Sequence, residues 1–211
     1  MTPRSSVILS PRKTPVQARS TASVDAILEA TLQILLEVGK ERLTTTRVAQ
    51  RAGVSVGTLY QYFPNKSALL QALLRQHFDG VLEAVERACR EQAGKTPEEM
   101  ATALIHAFLA AKMRDGKASV ALYAVSSDVE GAKLAKVVEA RANKAILAML
   151  GTSSEPLNKD PQLVASILQG AMSGVSRRLL ESGAREKDFC ELREELVLFA
   201  RSYLRACAGR P

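Results

Sequence analysis

The chain has 211 residues, of which 46% are hydrophobic and 24% charged, with a formal net charge of +7 at pH 7. That length can bury a hydrophobic core without disulfides or metals, and the composition excludes collagen-like and low-complexity disordered classes. No apolar run approaches the ~18–20 residues of a membrane span, and the arginine-bearing N-terminus lacks the apolar core and cleavage site of a secretory signal, so a cytoplasmic chain is expected.

The charge is unevenly placed. Residues 1–66 carry nine Lys/Arg against four Asp/Glu, and residues 1–22 hold Arg4, Arg12, Lys13 and Arg19 with no acid. A basic excess at one end points either to a polyanionic partner or to a solvated tail. The three cysteines, Cys89, Cys190 and Cys207, are far apart with no C-x-x-C spacing. They read as reduced and mostly buried thiols, with redox sensing as the alternative.

Strand signals are nearly absent and the prolines cluster between long proline-free stretches, so nine helices are predicted. The first, over residues 24–38, carries the stripe Val24, Ile27, Leu28, Leu32, Leu35 and Val38, with Ser23 as its cap and Gly39 as its stop. Two short helices follow at 46–52 and 56–62. A long one over 66–92 carries Leu70, Leu74, Phe78, Val81, Val85 and Ala88, with Gly80 as a flex-point or a site of close packing. The helix over 100–113 is apolar almost all round and is expected at the centre of a core, with His106 as the polar oddity in its apolar run. Helices at 117–126, 129–150, 161–182 and 187–207 complete the chain. The last repeats Phe189, Leu192, Leu196, Phe199 and Tyr203 at 3,4,3,4 spacing, a coiled-coil-like seam.

Residues 43–74, LTTTRVAQRAGVSVGTLYQYFPNKSALLQALL, are the most specific segment. Thr45 or Thr46 can cap a short helix whose inner face holds Val48, Ala49 and Ala52. Gly53 supplies the left-handed backbone of a tight inter-helix turn, Val54 fills the corner, and Ser55 caps the next helix. Leu59 and Phe63 then share one side, leaving Gly57, Thr58, Tyr60 and Gln61 outward. This arrangement reads as a helix-turn-helix.

Over residues 24–74, and most closely from Thr45 through AGVSVGTLYQYFPNK to Lys66, the chain resembles the TetR family of bacterial transcriptional repressors. The resemblance implies an all-α fold of about nine helices: a flexible basic arm (1–22), a helix-turn-helix domain (23–66) and an effector-binding and dimerisation domain (67–211). It implies a homodimer on a palindromic double-stranded DNA operator, released by a small-molecule effector, with no catalysis, cofactor, metal or membrane partner. Thr45, Thr46 and Arg47 would meet phosphates and a base edge. Ser55, Val56, Gly57 and Thr58 would meet bases in the major groove, Tyr60, Tyr62 and Lys66 phosphates, and Gln61 an adenine or a phosphate. Val56 and Tyr62 have partial burial as the competing reading.

Phe78, His106, Phe108, Met113 and Tyr123 are candidate effector-pocket residues. Ile167, Gly170, Ala171, Gly174, Leu192, Leu196, Phe199 and Tyr203 are the candidate dimer interface. A helical enzyme finds no support in H-E-x-x-H, P-loop or G-x-G-x-x-G motifs, none of which occurs. A helical adaptor binding only proteins is opposed by the basic helix-turn-helix segment.

Overall fold

A computed structural model describes residues 18–182 and 186–208, and every regular element among them is helical. The helices are α1 (Ala18–Arg42), α2 (Thr45–Arg51), α3 (Val56–Tyr62), α4 (Lys66–Glu91), α5 (Pro97–Met113), α6 (Gly116–Val125), α7 (Gly131–Leu150), α8 (Pro161–Glu181) and α9 (Glu186–Ala208), with a 3-10 turn at Ser126–Val129 between α6 and α7. Residues 1–17 of the basic arm lie outside the described residues. Residues 18–22, expected in that arm, belong to α1, so Ser23 sits inside the helix rather than at its cap.

The chain groups into two compact units. The first takes the chain up to His77 together with Ala121–Leu134, and the second takes Phe78–Val120 and the chain from Ala135 on. All three boundaries fall inside helices, α4, α6 and α7, which is why no linker composition marks them.

In the first unit, α1 breaks at Gly39 (φ 75°, ψ 171°), a backbone that glycine adopts without steric cost. Its buried face is Ile27, Leu28, Ala30, Ile34 and Leu35, so the stripe is rotated from the expected one and Leu32 is only half-buried. Thr31 is fully buried because its hydroxyl donates to the Ile27 carbonyl at 2.6 Å. In α4, Leu69, Leu70, Leu73 and Leu74 belong to the same core. Buried Gln71 donates its side-chain amide to the Val129 carbonyl at 3.0 Å. Lys40 forms an ion pair with Asp128. Both bonds anchor the 3-10 turn, which closes on Glu130 in the left-handed conformation (φ 54°). Gly131 then packs against it so tightly that an added Cβ would lie 2.7 Å from the Ser126 carbonyl oxygen.

In the second unit, Thr96 and Glu99 form a reciprocal capping box that starts α5, with Pro97 in its first turn. Met100, Leu104, Ile105, Phe108 and Leu109 of α5 are buried. α9 packs along α5 and α8 through Leu192, Leu196, Ala200, Leu204 and Cys207. At their edge Glu98 accepts from Arg205 at 2.5 and 3.0 Å and from Arg201 at 3.2 Å, which holds its carboxyl below the usual range. Asp160 caps α8 by accepting from the Gln162 amide. Cys89 and Cys207 are buried and Cys190 is exposed. Burial, with Glu86 nearby, pushes the Cys89 thiol up to about 11, which leaves little thiolate at neutral pH.

Gly80 is half-buried, and a Cβ there would lie 3.2 Å from Nη2 of Arg114. The contact is with the far end of a flexible arginine, which can yield. Gly80→Ala is therefore expected to raise stability by up to about 1 kcal/mol through helix propensity. Gly131→Ala meets backbone instead and should lower it by about 1–3 kcal/mol. Urea unfolding of the two variants, expected to move in opposite directions, checks both.

Candidate nucleic-acid interface

Two seven-residue helices, α2 and α3, are too short to persist alone, so their caps and buried anchors decide the geometry. Thr44, not Thr45 or Thr46, caps α2: its hydroxyl accepts from the Arg47 amide at 3.3 Å. Three consecutive threonines made the position ambiguous, and the residue three beyond Thr44 is Arg47 rather than the Glu or Gln that marks a capping box. Val48 and Ala49 are buried, and Gly53 takes φ 68° at the turn. Ser55 caps α3 as expected, accepting from the Thr58 amide at 2.9 Å. Leu59 is fully buried and Phe63 nearly so, each contributing about 1.5–3 kcal/mol of transfer free energy. Those anchors leave the opposite side of α3 in solvent.

Val56 is 36% and Tyr60 40% exposed, and Ser55, Gly57 and Gln61 are exposed. Thr58 and Tyr62 are half-buried. Two hydroxyl pairs order this surface: Ser55 with Thr58 at 2.8 Å, and Thr45 with Tyr60 at 3.0 Å. The second pair ties the start of α2 to α3, which brings together residues fifteen apart in sequence. Thr46 and Arg47 are exposed beside them, with Arg47 donating to the Arg42 carbonyl at 3.0 Å. Lys66 is half-buried and donates to the Lys40 carbonyl at 2.6 Å, just past the Gly39 break. Its ammonium has three donors, so this bond leaves two for an anion. Hydroxyls, a guanidinium and an ammonium around a short helix with a side-chain-free Gly57 form a surface suited to phosphates and groove edges.

One supporting contact had no sequence signal. Arg51 of α2 grips Glu37 of α1 with two 2.8 Å bonds and reaches Gln33 at 3.3 Å, fixing α2 against α1. A pair fourteen residues apart across a helix break has no local pattern.

The other expected sites are placed less favourably. His106 is exposed rather than in the core, because α5 owes much of its all-round apolarity to alanines, which do not demand burial. It lines a groove of about 700 Å³ beside Glu98, Arg193, Arg201 and Arg205. Phe108 is buried, with the Lys112 ammonium 5.5 Å above its ring. Burial lowers the Lys112 pKa, and Glu139 partly opposes that shift. Phe78 and Met113 are half-buried in the second unit, while Tyr123 belongs to the first. Leu192 and Leu196, expected on a seam between subunits, are buried within the chain, Leu196 to 5% exposure. Leu192 and Leu196 lie on the buried face of α9, which continues through Ala200 and Leu204 rather than through Phe199 and Tyr203. Phe199 is 43% exposed and stacks on half-buried Tyr203 at 6.0 Å, and Ile167, Gly170 and Gly174 are exposed on α8 with Ala171 half-buried.

The Arg51 hydrogen bonds hold the Glu37 carboxyl below its ordinary value, and Glu37 in turn raises Arg51. A carboxylate depressed in the folded state stabilises above its unfolded pKa and loses that contribution as pH falls through the folded value. The stability difference between the native chain and Arg51→Met should therefore be constant near neutrality and shrink below about pH 4. Paired thermal melts from pH 7 to pH 3 measure it. A gap that widened on acidification would contradict the assignment.

Residues 27–73 match the bacterial regulatory proteins of the tetR family, and residues 96–204, more than half of the chain, match the tetracyclin repressor-like C-terminal domain. The HTH-type transcriptional repressor KstR of Mycolicibacterium smegmatis is 45% identical over 71 residues, 34% of each chain. The match thus spans about a third of that relative's length. A solved TetR-family structure from Mesorhizobium loti has a TM-score of 0.74 at 18% identity, covering 92% of this chain and 100% of that one. FadR from Bacillus subtilis, solved in complex with stearoyl-CoA, has a TM-score of 0.64 at 19% identity, covering 84% and 97%. At such identities the structural likeness speaks for the fold. With both halves of the family's architecture matched along one chain, the protein belongs to the TetR family.

Proposed function

We propose that this chain is a repressor that binds a palindromic DNA operator as a homodimer and is released by a small-molecule effector. The observation that carries the reading is the α3 surface: Leu59 and Phe63 turn its other side, with Ser55, Val56, Gly57, Tyr60 and Gln61, into solvent. Residues 23–66 read the operator. Thr45, Thr46, Arg47, Tyr60, Tyr62 and Lys66 hold phosphates, while Val56, Gly57 and Thr58 meet base edges. The basic arm adds non-specific attraction from a cytoplasmic protein to its DNA.

Residues 67–211 carry the effector site and the pairing surface. A Cβ on Gly170 or Gly174 would meet nothing within 4 Å, so no packing among the described residues requires either glycine. Leu163, Ile167 and Val175 are exposed on the same helix, and Phe199 on α9. These residues favour pairing of α8 and α9 with their two-fold copies, without Leu192 and Leu196. The effector is held in the second unit. Its signal reaches the first through α4, α6 and α7, which run from one unit into the other and bracket the anchored turn at Ser126–Val129.

Electrophoretic shift assays with duplexes from upstream of the protein's own gene test DNA binding. Tyr60→Ala is expected to weaken all duplexes alike, and Thr58→Ala to change which bases are preferred. Lys66→Ala should lower the salt slope by about one unit and also cost some stability, because the Lys40 carbonyl loses the shorter of its two hydrogen bonds. If Lys66→Ala left affinity and slope unchanged, the phosphate role would fail while the structural one stood.

Sedimentation separates the two kinds of α9 residue. Phe199→Glu should give folded monomers with lost operator affinity, whereas Leu196→Glu should unfold or aggregate. For the switch, an effector that releases DNA must bind the DNA-free state more tightly, and operator must weaken effector binding by the same factor. Equal effector dissociation constants with and without operator would overturn the switch.

A further inference from the structure

A groove of about 620 Å³ lies between the C-terminal halves of α4 and α7, inside the second unit. The two helices run side by side in the same direction there: Arg141 donates to Glu86 at 2.9 Å near one end, and the Gly94 amide donates to Thr152 at 3.0 Å near the other. The volume falls in the range of small-molecule sites. Small side chains make the trough, since Ala145 and Ala148 stand where longer residues would close the gap, over buried Cys89 and Met149.

The floor offers a polar ligand nothing. Its single hydroxyl, Thr152, already donates to the Met149 carbonyl at 2.7 Å and accepts from Gly94. Cys89 is a buried thiol and a weak donor. The walls are different: Arg90, Arg141 and Lys144 face one acid, Glu86, which Arg141 holds. Arg90 and Lys144 have no ion pair within 4 Å among the described residues, leaving two cations over an apolar trough. In the larger groove beside His106, Arg201 and Arg205 are committed to Glu98, which leaves Arg193 as its one cation without an ion pair among the described residues.

We propose that this groove binds an aliphatic carboxylate, its head held by Arg90 and Lys144 and its hydrocarbon laid along Ala145, Ala148 and Met149. A carboxylate has two oxygens, one for the guanidinium and one for the ammonium, and charge-assisted bonds of this kind are the strong ones. A hydrocarbon chain suits the apolar part of the trough, which Ala145, Ala148 and Met149 line. This names a ligand class for the effector and to that extent rests on the function proposed above, so binding and DNA release are measured separately.

The experiment is titration calorimetry of the full chain with decanoate below its micellar concentration, against 1-decanol and decyltrimethylammonium. Decanoate is expected to bind at one site per chain. The alcohol should bind about tenfold more weakly or worse, and the ammonium should bind least. The double variant Arg90→Ala/Lys144→Ala should lose about tenfold or more for decanoate and little for decanol. Ala148→Trp fills the trough from an exposed position and should abolish both, with an unchanged melting temperature showing that the fold is intact. Undetectable decanoate binding, equal binding of the cation, or full affinity in Ala148→Trp would each overturn the site. Decanoate that binds in the groove but leaves operator affinity unchanged would uphold the site and refute its identity as the effector site. An operator complex released by decanoate in Ala148→Trp as in the native chain would refute the groove and keep the effector reading.

Discussion

The burial of Leu59 and Phe63 is the constraint on which the exposed surface of α3 depends. α3 has seven residues, fewer than a free helix needs, and one side-chain cap at Ser55. Two apolar side chains four residues apart, both removed from water, fix its rotation about its own axis to within the tolerance of close packing. Every outward residue then follows by helical geometry. The Thr45–Tyr60 bond sets the remaining freedom, the slide of α3 relative to α2. The same side chains that hold the fold therefore choose the face that meets a partner.

A second organising point is the backbone around Gly39. The break exposes the Lys40 carbonyl, which accepts from the Leu43 amide at 3.3 Å and from Lys66. The Lys40 side chain turns the other way, to Asp128. One residue thus joins α1, the start of α4 and the turn after α6. These bonds are exposed or half-buried, and individually such pairs contribute little. Their effect is positional: with Gln71 on the Val129 carbonyl, they hold the 3-10 turn in the first unit at several points.

Much of this was legible in the sequence because helices are local objects. The caps at Ser55, the glycine turn at Gly53 and the bounds of α3 followed from residues within a turn of each other. What was missed depended on partners distant in the chain. Arg51 with Glu37, Lys40 with Asp128 and Gln71 with Val129 couple segments that no periodicity relates. The apolar periods were real but silent about direction. Leu192 and Leu196 repeat as a subunit seam would, and they face α5 and α8. Alanine misled in the other sense: α5 looked uniformly apolar, and His106 emerged on its solvent side. A period identifies a buried face without naming what buries it.

The place of Ala121–Leu134 in the first unit has a consequence for how the protein is made. A ribosome delivers α1 to α4 first, yet the core they form lacks Leu122, Val125 and Val129 until those residues emerge, and Gln71 lacks its acceptor. The headpiece thus matures only when about two-thirds of the chain has been translated. Meanwhile α5, already synthesised, has its apolar face open until α9, the final helix, arrives to cover it. Co-translational folding of this chain is therefore interleaved: the part read first is finished in the middle, and the part begun in the middle is finished last.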